Sequence, residues 1–139
     1  MIERIHPAGA PAPRGPYSPA VRAGDTIYVS GQVPVNPVTG EMVTGDVQAE
    51  TRQVLANIRD ILASCGGTLA DVVRCTVYLT DAADFIAMNE VYAQFFGETK
   101  PARTTIVAAA LPVPGAKVEI DAIAFQPGAG EIFHDGNAK

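Results

Sequence analysis

Between Asp46 and Cys65 the apolar residues Val47, Val54, Leu55, Ile58, Ile61 and Leu62 recur at separations of three, four and seven. That period sets one stripe of an α-helix against a core. Asp46 is placed to cap its N-terminus, Glu50 suits the positive first turn, and Gly66-Gly67 supplies the left-handed stop. A period of two takes over at Val73, where Val73, Cys75, Val77 and Leu79 alternate with Arg74, Thr76 and Tyr78 as a half-buried strand. Asp81 or Asp84 then caps a second helix, carried by Phe85, Met88, Val91, Tyr92, Phe95 and Phe96 and ended before Pro101. Upstream, Ala20–Ala23 and Thr26–Ser30 flank Gly24-Asp25, the composition of a two-residue type II′ hairpin. Its second strand alternates Ile27, Val29 and Gly31 against Tyr28, Ser30 and Gln32. Downstream, Thr104–Val107 and Val118–Phe125 read as two more strands. In the last, Val118, Ile120, Ala122 and Ala124 share one face and Glu119, Asp121, Ile123 and Phe125 the other.

The order hairpin, helix, strand, helix, strand, strand predicts an α+β fold, a sheet with both helices on one face. Residues Pro7 to Pro19 are rich in Pro and Gly and read as an ordered loop. With 139 residues the chain fits one domain, residues 1–126, followed by a polar, Gly-rich tail, 127–139, expected to be loosely held. The helices have a natural lining in Ile27, Val29, Val73, Cys75, Val77, Val118 and Ile120. The opposite face would carry Tyr28, Ser30, Arg74, Thr76, Tyr78, Glu119, Asp121, Ile123 and Phe125, a set too apolar for open water and too polar for a core. Nothing left in the chain can cover it. At 47% hydrophobic and 18% charged residues, the composition also leaves little charge for a monomer's surface. A homo-oligomer whose sheets face one another is the expected solution, with polar groups brought to clefts at subunit boundaries.

Charge narrows the function. Ten Lys+Arg against 15 Asp+Glu give −5, so the basic field that a phosphate backbone requires is missing and nucleic-acid binding is disfavoured. Two cysteines, Cys65 and Cys75, are too few for a disulfide framework or a structural zinc site. The N-terminus resembles neither a secretory signal nor a transit peptide, and 18 apolar residues never run together, so a cytoplasmic protein without a membrane span is expected. Walker, Rossmann, Gly-x-Ser-x-Gly and His-Glu-x-x-His motifs are all absent, and no metal site is expected. His6 and His134 stand alone near opposite ends and receive no role, and Ser18, Ser30 and Ser64 have no histidine beside them to activate a nucleophile.

Arg103 follows Pro101-Ala102 at the mouth of a strand, where its planar fork could hold a substrate carboxylate or serve as a surface or interface ion-pair partner. Glu119 lies on the mixed face of the last strand, where partial burial would raise its pKa toward the range useful for moving a proton to or from water, if it is not simply paired. Tyr17 in the Pro/Gly loop and Ser30-Gly31 at a strand end complete a conjunction of one cation, one carboxylate and flanking polar groups.

These residues sit within a series of collinear blocks: Gly15-Pro-Tyr-Ser-Pro-Ala; Val29-Ser-Gly-Gln-Val-Pro-Val-Asn-Pro with Thr39-Gly; Asn57; Asp84-Phe; Met88-Asn-Glu-Val-Tyr with Phe95-Phe; Pro101-Ala-Arg-Thr; and Lys117-Val-Glu-Ile-Asp-Ala-Ile-Ala. From Ile2 to Gln126 the chain resembles the RidA/YjgF family of enamine/imine deaminases. The resemblance implies a chorismate-mutase-like mixed sheet with two helices on one face, a homotrimer with a central barrel, and three sites between subunits. It implies hydrolysis of carboxylate-bearing imines such as 2-iminobutanoate and 2-iminopropanoate to 2-oxo acids and ammonia, without metal or organic cofactor. Carried onto this sequence, Arg103 would grip the carboxylate with backbone help from Thr104 and Thr105, and Glu119 would hold and polarise the attacking water. Tyr17, Ser30, Gly31 and Asn89 would shape the pocket. Three departures stand out. Thr104-Thr105 replaces a small residue followed by Cys, the loop Pro112–Lys117 is slightly longer, and the tail has no counterpart. The alternative is a non-catalytic trimeric binding module, a 2-oxo acid sensor or chaperone-like protein. A ribonuclease is disfavoured by the charge and by only three lysines.

Overall fold

A computed structural model describes residues 1–127 of the chain. Strands β1 (Ile2–Ile5), β2 (Ala20–Ala23) and β3 (Thr26–Gln32) lead to helix α1 (Val47–Ser64). Then follow β4 (Val72–Leu79), α2 (Phe85–Phe96), β5 (Ala102–Val107) and β6 (Val118–Phe125). They form one mixed six-stranded sheet of order β1-β2-β3-β6-β4-β5, antiparallel except for the β4–β5 pair that α2 connects. The α+β architecture, with two helices on one side of the sheet, is as the periodicities predict. The tail from Gly128 onward lies outside the described residues.

Helix α1 starts where its cap chemistry dictates. The Asp46 carboxylate accepts the Ala49 N–H at 2.8 Å, a bond whose loss typically costs about 1 kcal/mol. Gly66 adopts φ +81 directly after the Cys65 cap, and the Gly67 N–H returns to the Leu62 carbonyl. Val54, Leu55, Ile58 and Leu62 are fully buried, each worth roughly 1.5–3 kcal/mol in transfer from water. Of the two candidate caps before α2, the chain uses Asp81. Its carboxylate accepts the Ala83 N–H and closes a short turn, Ala82–Asp84, that runs into the helix, whereas Asp84 makes no side-chain cap. In the β2–β3 hairpin Gly24 alone takes a positive φ, +61, as the first position of a type II′ turn requires.

Three expectations are corrected. β1 was not anticipated; four residues, three of them exposed, carry too little alternation to announce a strand, and their pairing with β2 creates it. Val73 is not core: the β4–β6 register shifts between Val72 and Arg74, so Val72 is buried and Val73 points outward at 49% exposure. A second irregularity, between Val29 and Gln32 on β3, reverses the phase at the strand's end. Gln32 turns in and is buried, donating to the Ser30 carbonyl, while Gly31 joins the face of Glu119.

The helix-free face remains open in the single chain. Tyr28, Val73, Ile106 and Phe125 each keep 44–49% of their full exposure there. Beneath the helices, Glu50 is fully buried: one carboxylate oxygen accepts the Lys117 N–H at 2.7 Å and the other has no partner. Burial pushes the Glu50 carboxyl above the usual carboxylate range.

Candidate functional site

The bulge that turned Gly31 outward builds the first part of the site. A Cβ at position 31 would overlap Oε2 of Glu119 and stand 3.0 Å from its Cδ and 3.2 Å from its Cγ, so only glycine lets β3 pass so close to this carboxylate. The Pro/Gly loop is clamped over the same strand. The Ser30 N–H donates to the Pro19 carbonyl at 2.9 Å and the Ser30 hydroxyl to the Ser18 carbonyl at 2.7 Å. Tyr17 then stands beside Gly31, its hydroxyl accepting the Arg14 N–H at 3.2 Å. The Ser18 hydroxyl meets the His6 ring at 3.2 Å, a contact that ties the loop to the end of β1.

Tyr17, Ser30 and Gly31 line an open cavity of about 540 Å³ together with Arg14, Val33, the segment Pro112–Pro114 and Glu119. Burial pushes the Glu119 carboxyl above the usual carboxylate range, and the nearby Asp121 carboxylate pushes it the same way. Asp121 is itself engaged, accepting the Thr76 N–H at 2.9 Å. Glu119 has no ion-pair partner; among the described residues the one ion pair is Arg59–Asp60, on the surface of α1.

Arg103 belongs to a second group of residues. On β5 it pairs in parallel register with Cys75, whose side chain is fully buried under the helices, so Arg103 faces α2. Its guanidinium carbon lies 4.7 Å from the centroid of the Tyr92 ring and 5.8 Å from that of Phe85, which sets the cation against an aromatic platform. Tyr92 in turn packs on Phe96 with ring centroids 4.6 Å apart. Asn89, four residues after Phe85 and three before Tyr92, shares their stripe of α2. Its Oδ1 and the Tyr92 hydroxyl are both buried without partners. Thr105 sits on this side of β5. Thr104 points to the open face, where its hydroxyl accepts from Arg74 at 2.7 Å. Cys75, next to Arg103, is no nucleophile, because burial pushes its thiol up to about 11.

The predicted site residues are thus split. Tyr17, Ser30, Gly31 and Glu119 converge on one face of the sheet; Asn89, Arg103 and Thr105 gather on the other. Glu119 pairs with Tyr78 and Arg103 with Cys75, so their backbones are two strand spacings and three residues apart, roughly 14 Å. A small imino acid cannot bridge that distance through a sheet. Sequence reasoning missed Arg14 and Val33 as cavity walls, singled out the Pro112–Lys117 loop only for its length, and took Phe85 and Tyr92 for ordinary core. The spacing Phe85-Asn89-Tyr92 on one stripe was the available signal. Among the described residues no group of His, Cys, Asp and Glu is arranged to hold a metal ion, and no helix is long and apolar enough to cross a membrane.

Fold and site define a class: a small α+β domain that presents an acid-bearing pocket on the open face of its sheet and an aromatic-stacked arginine on the covered one. Residues 8–126 match the family model Endoribonuclease L-PSP, and the chain belongs to this family, which includes the RidA and RutC proteins. It is 50% identical over 126 residues to a RutC family protein of Pyrococcus horikoshii, covering 91% of this chain and 99% of the relative. It is 48% identical over 127 residues to the 2-iminobutanoate/2-iminopropanoate deaminase of Capra hircus, covering 91% and 92%. The crystal structure of E. coli TdcF with bound serine superimposes with a TM-score of 0.84 at 40% identity, over 89% of this chain and 98% of that one.

Proposed function

We propose that the protein is a cytoplasmic homotrimeric deaminase that hydrolyses 2-imino acids such as 2-iminobutanoate and 2-iminopropanoate to 2-oxo acids and ammonia. The observation that carries this reading is the split site. An ion-pair-free, half-buried carboxyl of raised pKa faces an open cavity, while Arg103 sits on the far side of the same sheet at its β5 edge. A complete site then needs Glu119 from one copy and Arg103 from a neighbour. The exposed apolar residues Tyr28, Val73, Ile106 and Phe125 give the copies a surface to share. The relatives named as imino-acid deaminases support the same chemistry.

Arg103 anchors the substrate carboxylate through its fork, already fixed by Tyr92, with Thr104 and Thr105 backbone groups and Asn89 around it. Glu119 holds a water against the imine carbon. The water oxygen bonds to that carbon, the C=N electrons move to nitrogen, and the proton released to Glu119 passes to the nitrogen. The hydroxyl proton follows the same route as the C–N bond breaks; ammonia leaves and a carbonyl remains, one water being consumed. An imine carbon is already electrophilic, so the chemistry requires neither metal nor organic cofactor. The family name's nuclease is disfavoured by 15 acidic against 10 basic residues.

A threonine dehydratase coupled to the purified protein with semicarbazide as imine trap tests the reading. The protein is expected to raise the yield of free 2-oxobutanoate at the expense of semicarbazone, and unchanged partition refutes it. Binding of 2-oxobutanoate without turnover would instead support a binding module. A mass in solution of one chain, 14.5 kDa, rather than three times that value refutes the shared site.

A further inference from the structure

The cavity over Glu119 holds a cation that the proposed reaction leaves unused. Arg14 stands between Pro13 and Gly15-Pro16, in a loop whose prolines restrict the backbone before any ligand arrives. Its N–H is bonded to the Tyr17 hydroxyl, which fixes it at the rim that Tyr17 forms. Arg14 lines the same cavity as Ser30, Gly31, Pro112–Pro114 and Glu119. Among the described residues its guanidinium enters no hydrogen bond and no ion pair. Arg14 and Glu119 line one cavity without forming an ion pair with each other, so both are free to meet a ligand there. Net charge −5 disfavours anionic ligands at long range, which makes an uncommitted guanidinium in a concave site a local reversal of that field.

We propose that Arg14 is a specificity-determining residue that binds a second carboxylate, so that the favoured substrates are 2-imino dicarboxylates. The inference rests on the deaminase reading for its chemistry. Arg103 of a neighbouring copy takes the carboxylate next to the imine carbon and Glu119 holds the water, which leaves the side chain of the substrate to occupy the rest of the cavity that Arg14 lines. A guanidinium matches a carboxylate with two parallel hydrogen bonds. An imine with an apolar side chain leaves Arg14 in solvent and gains nothing from it. A dicarboxylate gains a charge-assisted contact, and discrimination arises from that difference.

The test compares kcat/KM for 2-iminoglutarate and 2-iminobutanoate, generated in situ by amino-acid oxidases and followed by semicarbazide trapping. In Arg14→Ala the ratio of the two values is expected to fall tenfold or more, with Arg14→Lys between. A ratio that stays within twofold of wild type overturns the proposal, as does a wild-type protein that processes 2-iminobutanoate but rejects 2-iminoglutarate. Calorimetry with the products, 2-oxoglutarate and 2-oxobutanoate, gives the same comparison without turnover. If both imines are inert the deaminase reading fails, and the calorimetric ratio still decides whether Arg14 reads a second carboxylate.

Discussion

Gly31→Ala isolates one contact of the site. Gly31 has no positive φ, so alanine adds no backbone strain, and the three atoms nearest the new methyl all belong to the Glu119 side chain. It would overlap Oε2 and crowd Cδ at 3.0 Å and Cγ at 3.2 Å, so the carboxylate must rotate away rather than tilt. Glu119 borders an open cavity into which it can swing, and the cost in stability is therefore small, within about 1 kcal/mol. The chemical cost is different. A carboxylate displaced by an ångström no longer holds water in line with the imine carbon, a misplacement worth on the order of 10²-fold in rate. At 1.36 kcal/mol per tenfold this is about 2.7 kcal/mol of barrier. The dehydratase-coupled assay should show kcat down by that factor while the thermal midpoint moves by no more than a few degrees. A Gly31→Ala protein with wild-type kcat refutes the role of Glu119, and one that fails to fold refutes the local reading of the clash.

Further outcomes follow from other groups. Only the ionised form of Glu119 can accept a proton, so kcat/KM should rise with pH through a pKa above the ordinary 4.5, and Glu119→Gln should remove that limb and cost roughly 10²–10⁴-fold in rate; a wild-type profile flat across this range contradicts the assignment. Tyr92→Phe keeps the ring under Arg103 and removes a buried hydroxyl without a partner, so it should be neutral or slightly stabilising. Tyr92→Leu removes the platform and should raise KM several-fold; equal KM values for the two variants count against cation stacking. Glu50, whose folded pKa is raised by burial, favours folding when protonated, so this contribution is present at low pH and is lost as pH rises through the raised value. Urea midpoints measured against pH should therefore fall more in wild type than in Glu50→Gln, whereas Glu50→Ala, which orphans the Lys117 N–H, should cost about 1–3 kcal/mol; parallel curves for wild type and Glu50→Gln refute the linkage.

How much of this was legible in the sequence depended on whether the signal was local. The stripe Val54, Leu55, Ile58, Ile61 and Leu62 specified α1, and Asp46 and Gly66 its ends, because capping and helical period act within a few residues. The alternation Val118, Ile120, Ala122, Ala124 assigned both faces of β6, and with them the outward, half-buried position of Glu119. Alternation failed where the ladder was irregular: Val73 and Gln32 took the opposite faces because register is set by the partner strand, which the local pattern does not contain. β1 arose for the same reason, from pairing alone.

The sequence by itself determined both helices and five of the six strands, the α+β class and, through the blocks around Tyr17, Arg103 and Glu119, the family, and it named the candidate residues of the site. The tertiary structure decided the arrangement. A bulge turned Gly31 against Glu119, and a loop clamp placed Tyr17 and Arg14 over them. The parallel β4–β5 pairing set Arg103 on the covered face, against the Tyr92 ring. Which face of a sheet a residue occupies, and whether two residues 16 positions apart share a pocket, depend on pairings and phase shifts distributed over the whole chain, and only the folded chain contains them.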